Sequence, residues 1–241
     1  MATDMDLAEY RGATAALVQD AQADLMQLWL SLQGNEPELI RDALLEYLPV
    51  IVEEYGTATA VLAAEWFESL PTAGWATLAP PVPESIVNGT LRREAGKLWT
   101  DTPDALADAL AQDLTEWIQR PGRHTTQFSA QANDMGWVRV PRGAKTCSFC
   151  LTLASRSAGW LYTTEDRARY RRSDGEKYHP DCDCQVVPAH DGGDVPWDPD
   201  PFYEMYSAAA QQAGTTSDLS AVLAEMRRMF PDAVNDGVHA H

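Results

Sequence analysis

Four cysteines and one histidine carry the most specific chemistry in this chain. Cys147-Ser148-Phe149-Cys150 is a C-x-x-C knuckle, and 28 residues later follows His179-Pro180-Asp181-Cys182-Asp183-Cys184. The full pattern is C-x2-C…H-x2-C-x-C. Two thiolates three positions apart reach one ion when the turn between them is tight. Zinc takes four such ligands in a tetrahedron, and a site with all places filled by protein is structural rather than catalytic. Five candidates compete for four places. Cys147, Cys150 and His179 with Cys182 give a Cys3His set, and H-x2-C lets both side chains turn inward. Cys184 competes with Cys182, and all four cysteines together would leave His179 off the metal. Disulfides fit less well. All the cysteines fall between 147 and 184 of a 241-residue chain, whereas a disulfide framework spreads cysteines through a small secreted domain.

Catalytic readings of the same residues fail on their own requirements. A zinc deaminase needs His-x-Glu ahead of its Pro-Cys-x-x-Cys, and Lys145-Thr146 precedes Cys147 here. A zinc-supported nuclease would need a catalytic histidine near the knuckle, and His124 lies more than 20 residues before it. A nucleophile needs a base beside it. The histidines are His124, His179, His190, His239 and His241. His179 is taken by the metal reading, and none of the others sits in a context such as G-x-S-x-G. No enzyme is expected.

The segment that must position these ligands is short of large apolar residues between 136 and 190, so its own core cannot offset its chain entropy. A metal that binds only the folded form supplies what is missing. Charge is segregated in the same way. Residues 1–119 carry 5 basic and 20 acidic side chains, residues 120–180 carry 11 and 5, and residues 181–241 carry 2 and 11. The basic excess surrounds the ligands. Either it balances thiolate charge locally, or it is a docking surface for a polyanion or an acidic partner. The net charge of −18 argues against a general nucleic-acid binder.

The remaining elements are mostly helical. Leu17, Leu25, Leu28 and Leu32 recur at helical spacing, and Gly34-Asn35 closes that helix. A second helix is expected from Pro37 toward Leu70, kinked or split at Pro49 and weakened at Gly56. Prolines make 71–83 a loop. Ile86–Trp99 and Thr102–Arg120 read as helices, the latter ended by Pro121-Gly122, with a further short helix from Thr125 to Met135. Beyond Gly136, Trp137–Val140, Trp160–Tyr162 and Gln185–Val187 are short strands, and Leu151–Ser155 is a helical turn. Two helices, about 202–213 and 217–230, close the chain before a frayed tail from Asp232. Among Trp29, Trp66, Trp75 and Trp99, most are expected in the core and any exposed one is a candidate partner surface. The expected fold is therefore mainly α with a small zinc-stapled α+β module: a helical hairpin or bundle over 1–120, a basic Cys/His module over 121–190, and an acidic loop with helices over 191–241. No run is long and apolar enough for a membrane span, and the acidic N-terminus lacks the basic start of a signal peptide.

Two stretches resemble a known family. Val138-Arg139-Val140-Pro141-Arg142-Gly143-Ala144-Lys145-Thr146-Cys147-Ser148-Phe149-Cys150, followed by Tyr178-His179-Pro180-Asp181-Cys182-Asp183-Cys184, resembles the minor head proteins related to protein F of phage Mu, above all their relatives in phages of actinobacteria. The likeness covers roughly residues 136–188, and a helical region precedes it in both. It implies head morphogenesis: a minor capsid component assembled in the host cytoplasm, located in the virion head, and partnered by the portal or the major capsid protein. Set beside that role, the basic excess of residues 120–180 is a candidate surface for packaged DNA or for an acidic portal surface. Some relatives are labelled capsid maturation proteases, which makes proteolysis the first alternative, and a nucleic-acid-binding zinc module is the second.

Overall fold

In the computed structural model, residues 4–71, 74–141, 145–155, 184–189, 198 and 200–234 are described. They form two compact units, one up to Ser129 and one from Ala130 onward.

The first unit is helical. Helix α1 (Asp4–Leu32) and helix α2 (Pro37–Ser69) form a hairpin, turned at Gly34, whose φ of 84° is one that L side chains rarely adopt. Helix α3 (Glu84–Glu94) passes into a 3-10 turn at Ala95–Trp99. Helix α4 spans Ala105–Ala132. Their apolar stripes meet in one core that includes Leu25, Trp29, Leu44, Leu48, Val52, Leu91, Leu110 and Leu114. Burying a side chain of that size is worth about 1.5–3 kcal/mol, so this unit has an ample hydrophobic drive. Polar ties fix the register. Gln22 Nε2 on α1 donates to Thr115 Oγ1 on α4 at 3.0 Å, and Trp29 Nε1 donates to Asp104 Oδ1 at 3.2 Å.

Two expectations about proline need correction. Helix α2 is not split at Pro49, because Ile40, Leu44 and Leu48 before it and Val52 after it are all buried in the same core. Pro121-Gly122 does not end α4, nor does a separate helix begin at Thr125. The pair is buried inside α4. There it serves helix packing. Thr59 Oγ1 on α2 donates to the Ile118 carbonyl at 2.5 Å, in the turn where Pro121 withdraws a backbone donor. A Cβ on Gly122 would come within 3.0 Å of the Thr59 carbonyl oxygen. The actual stop is Asn133-Asp134, with Asp134 at φ 55°. Met135 N donates to Ala130 O at 2.8 Å and Asp134 N to Gln131 O at 3.2 Å, a Schellman closure.

The same half of α4 is polar yet buried, and the proline-rich loop explains part of this. Backbone groups of an extended segment need partners. Ala79 N donates to Thr125 Oγ1 at 2.9 Å, and Thr77 N to Ser129 Oγ at 2.8 Å. Helix α4 begins at Ala105 rather than Thr102, the turn at Thr102-Pro103-Asp104 standing just ahead of it.

The second unit holds a two-stranded antiparallel sheet, β1 (Gly136–Val140) with β2 (Gln185–Ala189), in the register Val138 to Val187. Helix α5 (Ser148–Ala154) follows the knuckle, and α6 (Asp200–Ala213) and α7 (Leu219–Met229) pair with each other. Leu151 from α5, Ala209 and Ala210 from α6, and Val222 and Met226 from α7 share a small core. The knuckle helix thus draws its apolar partners from the C-terminal helices. The stretch Asp232–Val234 is not frayed: Val234 is buried and bridges Thr146 in parallel, and residues 235–241 lie outside the described residues. The expected strand at 160–162 lies outside the described residues.

Candidate metal centre

Cys147 occupies the N-cap position of α5, and its Sγ accepts the backbone N–H of Cys150 at 3.2 Å. Both cysteines are at most 1% exposed. Neither they nor Cys184 is in a disulfide. The turn between the two thiols is therefore tight, as the spacing requires.

Four contacts set the knuckle in place. Upstream, Thr146 N donates to Ala233 O at 2.9 Å, so the C-terminal segment runs beside the entry to Cys147. Lys145 Nζ donates to Pro231 O at 3.1 Å on the same edge. Downstream, the Thr152 hydroxyl donates to Ser148 O at 3.0 Å and lies 3.4 Å from Met226 Sδ on α7. None of these residues beyond 200 drew attention in the sequence as part of a site. Their only signal was the apolar stripe of the last helix.

Cys184 is fully buried and directly precedes β2. Gln185 pairs with Val140, the last residue of β1, so the sheet fixes where the chain carrying Cys184 starts. His179 and Cys182 lie outside the described residues. Among the described residues no three His, Cys, Asp or Glu side chains are gathered so as to hold one ion. The knuckle supplies two donors, and the Cys3His set would draw on His179 and Cys182 for the rest. The donor chemistry fits a thiophilic ion: two buried thiols on one turn, with a backbone donor already given to one of them.

Among the described residues, several basic side chains of the 120–180 segment are buried or paired. Arg139 is 2% exposed, on β1, with its guanidinium carbon 6.0 Å from the centre of the Phe149 ring inside the knuckle. A cation over a ring within about this distance is attracted by its quadrupole. In the first unit Arg123 is also 2% exposed, and Arg120 is bound to Glu116 at 2.6 Å. His124, considered as a base, lies against Phe128 with ring centres 5.5 Å apart.

Among the described residues, three groups of the helical unit have displaced titrations. Burial raises the Asp113 carboxyl above its ordinary value, against the pull of Arg93 and Lys97. The hydrogen bonds from Lys97 and Arg93 hold Glu94 below its own. The Tyr55 hydroxyl donates to Asp24 at 2.7 Å, which pushes its pKa up to about 12.

A family model described as VG15 protein matches residues 1–209, which takes in the first unit, the second as far as α6, and every proposed ligand. The chain belongs to the VG15 family. Its relatives are phage proteins. The Gene 15 protein of Mycobacterium phage L5 is 28% identical over a stretch covering 38% of this chain and 43% of that protein. The Gene 15 protein of Mycobacterium phage D29 is 29% identical with the same coverage. The matched stretch thus spans less than half the length of the curated relatives. No solved structure matches the chain. The VG15 match stops inside α6, so α7 and the bridge at Val234 lie past it. Among the described residues no helix is long and apolar enough to cross a membrane.

Proposed function

We propose that this VG15 protein is a structural minor capsid protein of a tailed phage, acting in head assembly at the portal or the capsid interior, and that its second unit is closed by one structural zinc ion. The observation that carries the metal half is the buried C-x-x-C turn, with the Cys150 amide on the Cys147 sulfur. Cys147, Cys150 and His179 with Cys182 or Cys184 would hold the ion. Bound there, zinc would couple its binding free energy to the folding of a small unit. The phage family supports the capsid half, as does the likeness of the two cysteine clusters to the minor head proteins related to protein F of phage Mu. The role is assembly, not catalysis, and the location is the phage head. A contact with packaged DNA through residues 120–180 would not draw on Arg123 or Arg139, which are buried.

Mass spectrometry and zinc analysis of purified particles and of the recombinant chain test both halves. The expected result is an uncleaved chain at low copy in the particle, with one zinc per chain. Less than about half an equivalent of zinc, together with titratable thiols, overturns the metal reading. Absence from particles, with a major capsid protein that fails to mature without it, overturns the structural role in favour of a protease.

A further inference from the structure

The outward side of α2 combines two features that a solvated helix face does not need. With about 100° and 1.5 Å per residue, Leu39, Val50 and Val61 fall in one narrow band about 33 Å long, with Tyr47 on its flank. They are 59%, 57%, 41% and 50% exposed in that order. The band is not an overflow of the core, because the opposite side of the helix buries Ile40, Leu44, Leu48, Val52, Ala60, Ala63 and Phe67. Every charged residue exposed alongside it is acidic. Asp42, Glu46 and Glu53 border one side and Glu54 and Glu65 the other, with Glu68 at the far end. The single basic residue of α2, Arg41, is half-buried and bound to Asp42 at 2.7 Å.

We propose that this stripe docks a basic amphipathic helix of a partner protein, its apolar side on Leu39, Val50 and Val61 and its lysines or arginines against the flanking carboxylates. Apolar side chains recurring every 11 residues, about three turns apart, stay on one side of a helix and can anchor a partner helix. Carboxylates on both flanks select the sign of the partner. They also disfavour a second copy of the same face, a nucleic acid and an anionic membrane, all of which bring negative charge. The inference goes beyond the metal reading and stands apart from it, since every residue it uses lies on α2.

The test uses the full chain and a labelled synthetic helix of about 20 residues, leucine along one side and lysine along the other, with a scrambled peptide of the same composition as control. In fluorescence anisotropy the amphipathic peptide binds at least about tenfold tighter than the scrambled one. The double variant V50S/V61S, both positions exposed, loses about tenfold with unchanged helix content and zinc content. The triple variant E46Q/E53Q/E54Q weakens binding and flattens its salt dependence. Equal affinity for both peptides, or binding indifferent to V50S/V61S, overturns the proposal. Concentration-dependent dimerisation of the chain abolished by V50S/V61S overturns it in favour of a second copy.

Discussion

The two units keep themselves folded by different means. The first has a core running from Val18 on α1 to Ile118 on α4, contributed by every helix of that unit. The second has, among its described residues, a smaller core around Leu151, Val222 and Met226, together with the buried thiols of Cys147, Cys150 and Cys184. Among the described residues the first core is the larger, and in the proposed reading the metal would add to the second unit what apolar burial leaves short. The units should therefore respond oppositely to metal removal and to cavity formation.

The largest expected effect follows directly. A strong chelator, or the double variant C147A/C150A, should open the second unit while leaving the first intact. Hydrogen exchange would show amides of β1, α5 and β2 losing protection together, while those of α1, α2 and α4 keep theirs. Unchanged protection after complete zinc removal would mean that the knuckle is an ordinary pair of buried thiols.

Leu110→Ala makes the converse test. Leu110 is fully buried in the first core, and such truncations cost about 2–5 kcal/mol. Denaturant unfolding should show that loss with zinc content unchanged. Met226→Ala, at a fully buried position against Thr152, should instead speed zinc exchange with a competing chelator, because it loosens the support of α5. If both variants affected metal exchange equally, the two units would not be energetically separate.

Gly122→Ala should come next in size. Its Cβ would sit 3.0 Å from the Thr59 carbonyl, a backbone atom that cannot swing aside. Overpacking of this kind costs about 1–3 kcal/mol, less the roughly 1 kcal/mol that alanine gains over glycine in a helix. A thermal midpoint equal to or above that of the unchanged chain would mean that the α2–α4 crossing has slack.

This position also shows where the sequence was readable and where it was not. The hairpin of α1 and α2, the strands at 136–140 and 185–189 and the two closing helices were legible, because periodicity and turn residues act locally. Pro121-Gly122 was misread as a stop, because its role depends on Thr59, far away in sequence, whose hydroxyl and carbonyl only meet it across a packed interface. Trp29 and Trp66 are buried as expected, but Trp75 and Trp99 are 85% and 51% exposed. Composition could not separate these pairs. At the candidate metal centre, the tight Cys147–Cys150 turn was legible from its spacing. The support from Ala233, Pro231 and Met226 was not, because nothing in their residue types marks a site.

The smallest effect expected is also the cleanest reporter. Tyr55 on α2 donates to Asp24 on α1, and its pKa is raised to about 12, first by that bond and then by burial and the nearby carboxylates. A raised pKa means that the bond stabilises the hairpin fully below the tyrosine's ordinary value of 10.0 and is lost as pH rises through about 12. Ultraviolet titration of the eight tyrosines should therefore contain one late component, removed by Tyr55→Phe and shifted down by Asp24→Asn. Because this bond lies wholly within the helical unit, chelation should leave the late component where it is. If the component moved when zinc was withdrawn, opening the second unit would have disturbed the first, and metal dependence would belong to the whole chain.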